Sequence, residues 1–289
     1  MLTCGIDEAR RGPIIGPMVM CGAFMEDGSM KNLEALNPRD SKLLTAHERE
    51  AIYPRILKVL KHCSVIVIEP DEIDKAVQGH EGLNLNRLEA RKSAQILNEL
   101  KPDRAIIDCP SNNIMSYKSY LQGMLENKKI ELVLEHNAER YALVAAASIV
   151  AKVTGDRLIE ELKNDIGADF GSGYLSDPKT SDFLKNNFEI YPNIFRKSWF
   201  PYKDMVNNKF QKSLSDFTRF LKEDEEKKSP TLDDLKKLEE FGFHFEQPKS
   251  ASELAIMKGP CTVILYRNGK LLLQGKGDVK KRVMKIFGK

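Results

Sequence analysis

The sequence predicts an α/β fold, a mixed sheet with helices packed on its faces, followed by a smaller α+β domain. Three observations predict it. β-rich runs alternate with amphipathic helical patterns through most of the chain. The first two β-rich runs are joined by a Gly- and Pro-containing turn and not by a helix, which makes them antiparallel neighbours and the sheet mixed. A charge-rich stretch at 222–230 then separates a C-terminal part with helix and hairpin signals of its own.

Taken in order, residues 2–6 read as a strand, 12–16 as a turn and 17–25 as a second strand. Residues 46–60 carry Ile52, Ile56, Val59 and Leu60 at helical spacing, and 64–68 follow as a strand. An amphipathic helix at 85–100, a strand at 104–108 and a strand at 130–134 lead to an Ala-rich helix at 141–162. Its Ala145-Ala146-Ala147-Ser148 run admits close packing, whereas Lys152 is a cation in an apolar helix and faces water or an anion. Beyond the charged stretch, 232–241 form a short helix. Asn268-Gly269 between two β-rich runs marks a hairpin, and 278–287 read as a basic helix.

Composition narrows the function. A chain of 289 residues suggests about two domains, and 42% apolar residues suffice to build them. The 45 Lys and Arg against 42 Asp and Glu give a net charge of +3, which excludes a uniformly basic coat, so any polyanion site is local. Five cysteines with no C-x-x-C pair argue against a disulfide framework and structural zinc. With no basic-then-apolar leader and no membrane span, the chain is expected to be soluble and cytoplasmic.

Two acidic features stand out. Asp7 and Glu8 adjoin at a strand end before the basic turn Arg10-Arg11-Gly12, and like charges held this close need a cation between them. Asp108 ends an apolar strand, where sites in α/β sheets collect. Either could alone be a cap or a solvated turn. Together with Asp40-Ser41-Lys42, the segment Ala145 to Val153, the segment Gly171 to Thr180, and Arg196-Lys197-Ser198-Trp199, they resemble in order the motifs of the ribonuclease HII family, nearest its archaeal and eukaryotic branch.

That resemblance covers about residues 1–205 and implies a ribonuclease H-like catalytic domain with a mixed five-stranded sheet. A charged linker over 206–229 and a small domain over 230–289 would follow. It implies endonucleolytic cleavage of RNA in RNA·DNA hybrids, or at ribonucleotides embedded in duplex DNA, by a monomer. Asp7, Glu8 and Asp108 would ligate Mg²⁺ or Mn²⁺, hard ions that oxygen ligands select. Ser41, Lys42, Lys152 and Arg196 would meet the substrate backbone, Arg10, Arg11 and Gly12 the ribose, and Tyr174 would stack on the sugar at the cleaved junction.

The chain departs from the family at two positions. Arg10 replaces a glycine, so a long cation is expected to obstruct the ribose or add a phosphate contact. Ala138 falls where the fourth carboxylate is expected, ten residues before Ser148, while Glu139 serves only if the backbone before Tyr141 shifts. Without such a shift the enzyme is impaired, by an engineered change or a natural loss, and a catalytically silent hybrid-binding protein is the rival reading. After Cys261 the chain carries eight Lys and Arg against one acid, Asp278. The surrounding pattern resembles the TATA-binding-protein-like substrate-binding domain of ribonuclease HIII.

Overall fold

The computed structural model describes residues 1–38, 41, 44–208 and 231–275. The chain forms two compact units, Met1–Tyr202 and Lys203–Lys289.

The first unit contains β1 (Leu2–Ala9), β2 (Met18–Glu26), α1 (Met30–Glu34), α2 (Ala46–Val59), β3 (His62–Ile68), α3 (Pro70–Val77), α4 (Leu85–Leu100), β4 (Arg104–Asp108), α5 (Ile114–Met124), β5 (Glu131–Glu135), α6 (Ala142–Ile166) and α7 (Pro178–Asn187). The five strands form one sheet in the order β3-β2-β1-β4-β5. β2 runs antiparallel to β1 and β3, while β1, β4 and β5 are parallel. This is the mixed sheet with flanking helices that the alternation of patterns predicts.

Local chemistry sets the helix starts. Thr45 and Glu48 form a reciprocal capping box on α2, and the Asn84 side chain accepts from the Arg87 N–H on α4. Every β2 residue but Glu26 is buried, so the sheet is covered on both faces. Ile6, Met20, Ile96 and Ile107 pack on one face. Val19, Cys21, Leu143, Ala147 and Val150 pack on the other. There α6 crosses β1 so closely that a Cβ on Gly5 would lie 2.6 Å from the Leu143 carbonyl carbon.

Three differences from the expected elements matter. β1 runs on to Ala9, so Asp7 and Glu8 lie within a paired strand, opposite Cys21 and Met20, and not at its end. The central position of β1 in the sheet overrides the low strand propensity of two acids. α1, α3, α5 and α7 are not among the elements the sequence predicts, and a 3₁₀ turn, Ala138–Arg140, precedes α6.

The second unit holds α8 (Leu232–Lys236), which continues as a 3₁₀ turn, and the strands β6 (His244–Glu246), β7 (Glu253–Lys258), β8 (Thr262–Tyr266) and β9 (Leu271–Gln274). They form an antiparallel sheet in chain order over a core of Leu235, Leu238, Met257, Val263 and Leu273. The β8–β9 turn has Gly269 at φ +78°, as the Asn-Gly signal requires. β6 and β7 add to the expected hairpin, and the helix expected at 278–287 lies outside the described residues.

Candidate active site

The acids meet because of strand register. Ile6 pairs with Ile107 across the parallel β1–β4 ladder, so the next residues, Asp7 within β1 and Asp108 at the end of β4, are neighbours. Asp7 is 4% exposed. Burial, followed by the negative field of Asp108 and Glu139, pushes its carboxyl up to about 7 against the hydrogen bond from Ser148. Burial, then Asp7, Glu89 and Asp108, raises the Glu8 carboxyl well above the ordinary range. The Glu8 N–H donates to Asp7 Oδ1 at 2.8 Å. Among the described residues no three His, Cys, Asp or Glu side chains are gathered tightly enough to be a ready-made ligand cage. An all-oxygen set, with Asp7 buried and Glu8 and Asp108 half-buried beside it, fits a hard divalent cation.

The Ala138 side chain is buried in an apolar cluster with Ile106 and Val144, and its N–H donates to Asp108 Oδ1 at 2.9 Å. Position 138, where the resemblance puts the fourth carboxylate, is thus an apolar packing position. Asn137, in the left-handed region at φ 57°, turns the chain into the 3₁₀ turn. Glu139 then follows within electrostatic range of Asp7.

The basic residues divide. Arg10 is 4% exposed, and its Nη2 donates to the carbonyls of Ser172 at 3.0 Å and Ile15 at 3.3 Å. Its guanidinium is thus held within the protein. Arg196 is fully buried and donates to the carbonyls of Arg10, Arg11 and Gly16, with its guanidinium against the Trp199 ring. Desolvation lowers its pKa to about 9. It braces the turn from within, contrary to the expected substrate contact. Arg11 is half-exposed, with Nε donating to Glu89 Oε1 at 2.7 Å and Nη2 to Asn86. Tyr174 lies beside Gly12, where a Cβ would sit 3.9 Å from the ring.

Ser41 is buried, with its Oγ 2.9 Å from Ser148 Oγ, and the Ser148 hydroxyl also lies against the Asp7 carboxyl. Lys152 pairs with Asp156 at 2.5 Å, as its helical i,i+4 spacing allows. Lys42 lies outside the described residues. Glu89, Asp156 and Asp74 were not singled out in the sequence. Only the Lys152–Asp156 spacing carries a local signal for any of them, because the partners of the others are distant in the chain.

A five-stranded sheet of this order with a buried acidic centre on its adjacent inner strands defines a ribonuclease H-like nuclease. The ribonuclease HII family model matches residues 4–201. Ribonuclease HII from Methanococcus maripaludis strain C7 is 42% identical over 212 residues, covering 70% of this chain and 86% of that one. Ribonuclease HII from Pyrococcus abyssi is 38% identical over 77% of this chain and 98% of its own. The crystal structure of ribonuclease H2 from Pyrococcus horikoshii superposes with TM-score 0.64 at 36% identity, over 71% of this chain and 97% of that one. Ribonuclease HII from Archaeoglobus fulgidus, solved in complex with PCNA, gives 0.62 at 35% identity, over 70% and 96%. A ribonuclease HIII solved with Mn²⁺ shares the fold at 21% identity and TM-score 0.61. The chain belongs to the ribonuclease HII family and is a ribonuclease H-type endonuclease. Among the described residues no helix is long and apolar enough to cross a membrane.

Proposed function

We propose that the protein cleaves the RNA strand of RNA·DNA hybrids, or duplex DNA at embedded ribonucleotides, using two divalent ions, Mg²⁺ or Mn²⁺. The observation that carries this reading is the meeting of Asp7, Glu8 and Asp108 on adjacent strands, where burial and the negative field of Asp108 raise the carboxyls of Asp7 and Glu8. These three and Glu139, in place of position 138, would hold the ions. When bound, the ions would activate a water and stabilise the departing 3′ oxygen.

The remaining roles belong to the chain's own residues. Ser148 steadies the Asp7 carboxylate through its hydroxyl. Lys152, held by Asp156 in the free protein, would exchange that carboxylate for a substrate phosphate, and Lys42 would bind another. Arg11 and Gly12 would meet the ribose, whose 2′-OH distinguishes RNA from DNA, with Tyr174 stacked on the next sugar. A ring lying flat on that sugar favours one that lacks a 2′-OH.

The silent-binder alternative is not retained, because it rested on Ala138 and Arg10, and neither residue removes a ligand or fills the groove in this reading. The second unit would be a TATA-binding-protein-like module that grips the substrate backbone. A helix followed by a four-stranded antiparallel sheet and a basic tail supports this. We place the protein in the cytoplasm as a monomer, with PCNA a candidate partner by likeness to the relative solved with it.

The test is cleavage of a duplex containing one ribonucleotide, with Mg²⁺ or Mn²⁺, against Asp7→Asn as control. Incision beside the ribonucleotide that the control lacks is expected. Absence of incision with either ion overturns the reading.

A further inference from the structure

Arg10 has the backbone of a glycine and the side chain of a core residue. Its φ of 60° lies in the left-handed region, which is costly for a residue with a Cβ, and yet it is 4% exposed. Such strain persists only where surrounding contacts over-determine it.

Those contacts come from three segments far apart in sequence. From the loop at 171–174, the Ser172 carbonyl accepts from Nη2 at 3.0 Å, and the Tyr174 ring centroid lies 5.7 Å from the guanidinium carbon. From the turn after β1, the Ile15 carbonyl accepts from the same nitrogen at 3.3 Å. From α6, Asp156 Oδ1 lies 3.7 Å from Nη1.

Two glycines make the room. A Cβ on Gly155 of α6 would come within 2.6 Å of Arg10 Cδ, and one on Gly173 within 2.8 Å of Nη2. The loop, the turn and the helix are thus fitted around one side chain, while Arg196 fixes the Arg10 carbonyl from the other side at 2.6 Å.

We infer that Arg10 is a positioning residue that sets substrate preference. By fixing Tyr174 against the Arg11–Gly12 turn, it holds the group that stacks on one sugar at a set separation from the groups that read the ribose beside it. This rests on the proposed roles of Tyr174 and that turn. A rigid pair rewards a junction between a ribonucleotide and a deoxyribonucleotide over a continuous RNA tract, because only the junction satisfies both groups at once. If Arg10 is lost, the loop keeps its chain connectivity but not its distance from the turn, and the advantage of the junction falls.

The readout is the ratio of kcat/KM for a duplex with one embedded ribonucleotide to kcat/KM for an RNA·DNA hybrid. A loss of folded enzyme cancels in that ratio. Arg10→Met is expected to lower it about tenfold, the scale on which residues that orient a site act. Tyr174→Ala should lower it to the same level, and the double variant no further. Gly155→Ala serves as the second probe. In a helix this change ordinarily stabilises, but here the added methyl displaces the Arg10 stem, so the ratio should move in the same direction with the fold intact.

A ratio unchanged in Arg10→Met and Gly155→Ala, while Tyr174→Ala shifts it, overturns the positioning role. A double variant in which the two losses multiply does so too. A wild-type protein that cleaves neither duplex, or a ratio that Tyr174→Ala leaves in place, overturns the functional reading and this role with it.

Discussion

The N–H of Ala138 donates to Asp108 Oδ1 at 2.9 Å, so position 138 serves the acidic centre through its backbone while its methyl packs with Ile106 and Val144. Ala138→Asp would place a carboxylate among apolar groups, and we expect a loss of about 3 kcal/mol or more with no gain in cleavage. Glu139→Gln should keep the melting temperature and lower single-turnover cleavage about a hundredfold. An Ala138→Asp protein that cleaves faster than the parent would return the fourth carboxylate to position 138.

Proton affinity at this centre makes stability depend on pH and on metal together. Asp7 and Glu89 are raised from 3.8 and 4.5 to about 7, and Glu8 is raised as well, in each case chiefly by burial. Because the folded state holds these protons more tightly, their contribution is fully present below the unfolded values and is lost as pH rises through about 7. Without metal, these groups should depress the melting temperature between about pH 5.5 and about pH 8, and the depression should shrink in Asp7→Asn. If Mn²⁺ binds here it binds the deprotonated carboxylates, so its stabilising shift should grow over the same range. A shift that is the same at both pH values would show the ion binding elsewhere.

Arg196 tests how the turn after β1 is braced. Three backbone carbonyls accept from its buried guanidinium, and Asp74 holds the next two residues by accepting from the N–H groups of Lys197 and Ser198. Arg196→Met should cost about 3–5 kcal/mol in denaturant unfolding, and Arg196→Lys should also destabilise because an ammonium lacks the planar fork. A stable Arg196→Met protein with only a raised KM would make Arg196 a substrate contact after all.

Cys63 should be the most reactive thiol. Its Sγ lies 3.2 Å from that of Cys21, and the hydrogen bond between them lowers the Cys63 pKa while burial raises those of Cys4, Cys21, Cys109 and Cys261. Brief alkylation followed by peptide mapping should find Cys63 modified first. Prior modification of Cys109 or Cys261 would contradict this order.

Much of the sheet was legible because its strands are apolar runs of Val, Ile and Met bounded by turn residues, as at Arg104–Asp108. The long helices were legible from their periodicity. α5 was not, since IMSYKSYLQGM has only two buried positions, Tyr117 and Leu121, to mark its face. Asp7, Glu8 and Asp108 were legible as candidate acids, although Asp7 and Glu8 lie within β1 and only Asp108 at a strand end. What escaped was the direction taken by long side chains. Arg10 meets Ser172 across 162 positions and Arg196 meets Arg10 across 186, and no local pattern encodes contacts of that separation. Glu139 was ambiguous because one residue of register decides which side chain of a short turn enters the site.

The C-terminal unit carries the last prediction. Eight Lys and Arg against one acid after Cys261 give this end of a nearly neutral chain its cationic excess. If that excess lies against substrate phosphates, hybrid affinity should fall steeply with salt, because each neutralised phosphate releases condensed counterions. Ending the chain after Ser229 should then weaken binding at low salt and flatten the salt slope by about one for each phosphate that is no longer neutralised. Single-turnover cleavage at saturating enzyme should survive, since the acidic centre, the bracing by Arg196 and the hydrogen bonds of Arg10 all lie within Met1–Tyr202. Fluorescence anisotropy of a labelled hybrid over a salt series measures both slopes. Equal affinity and equal slope in the two proteins would place the C-terminal unit off the substrate and return phosphate binding to Lys42 and Lys152.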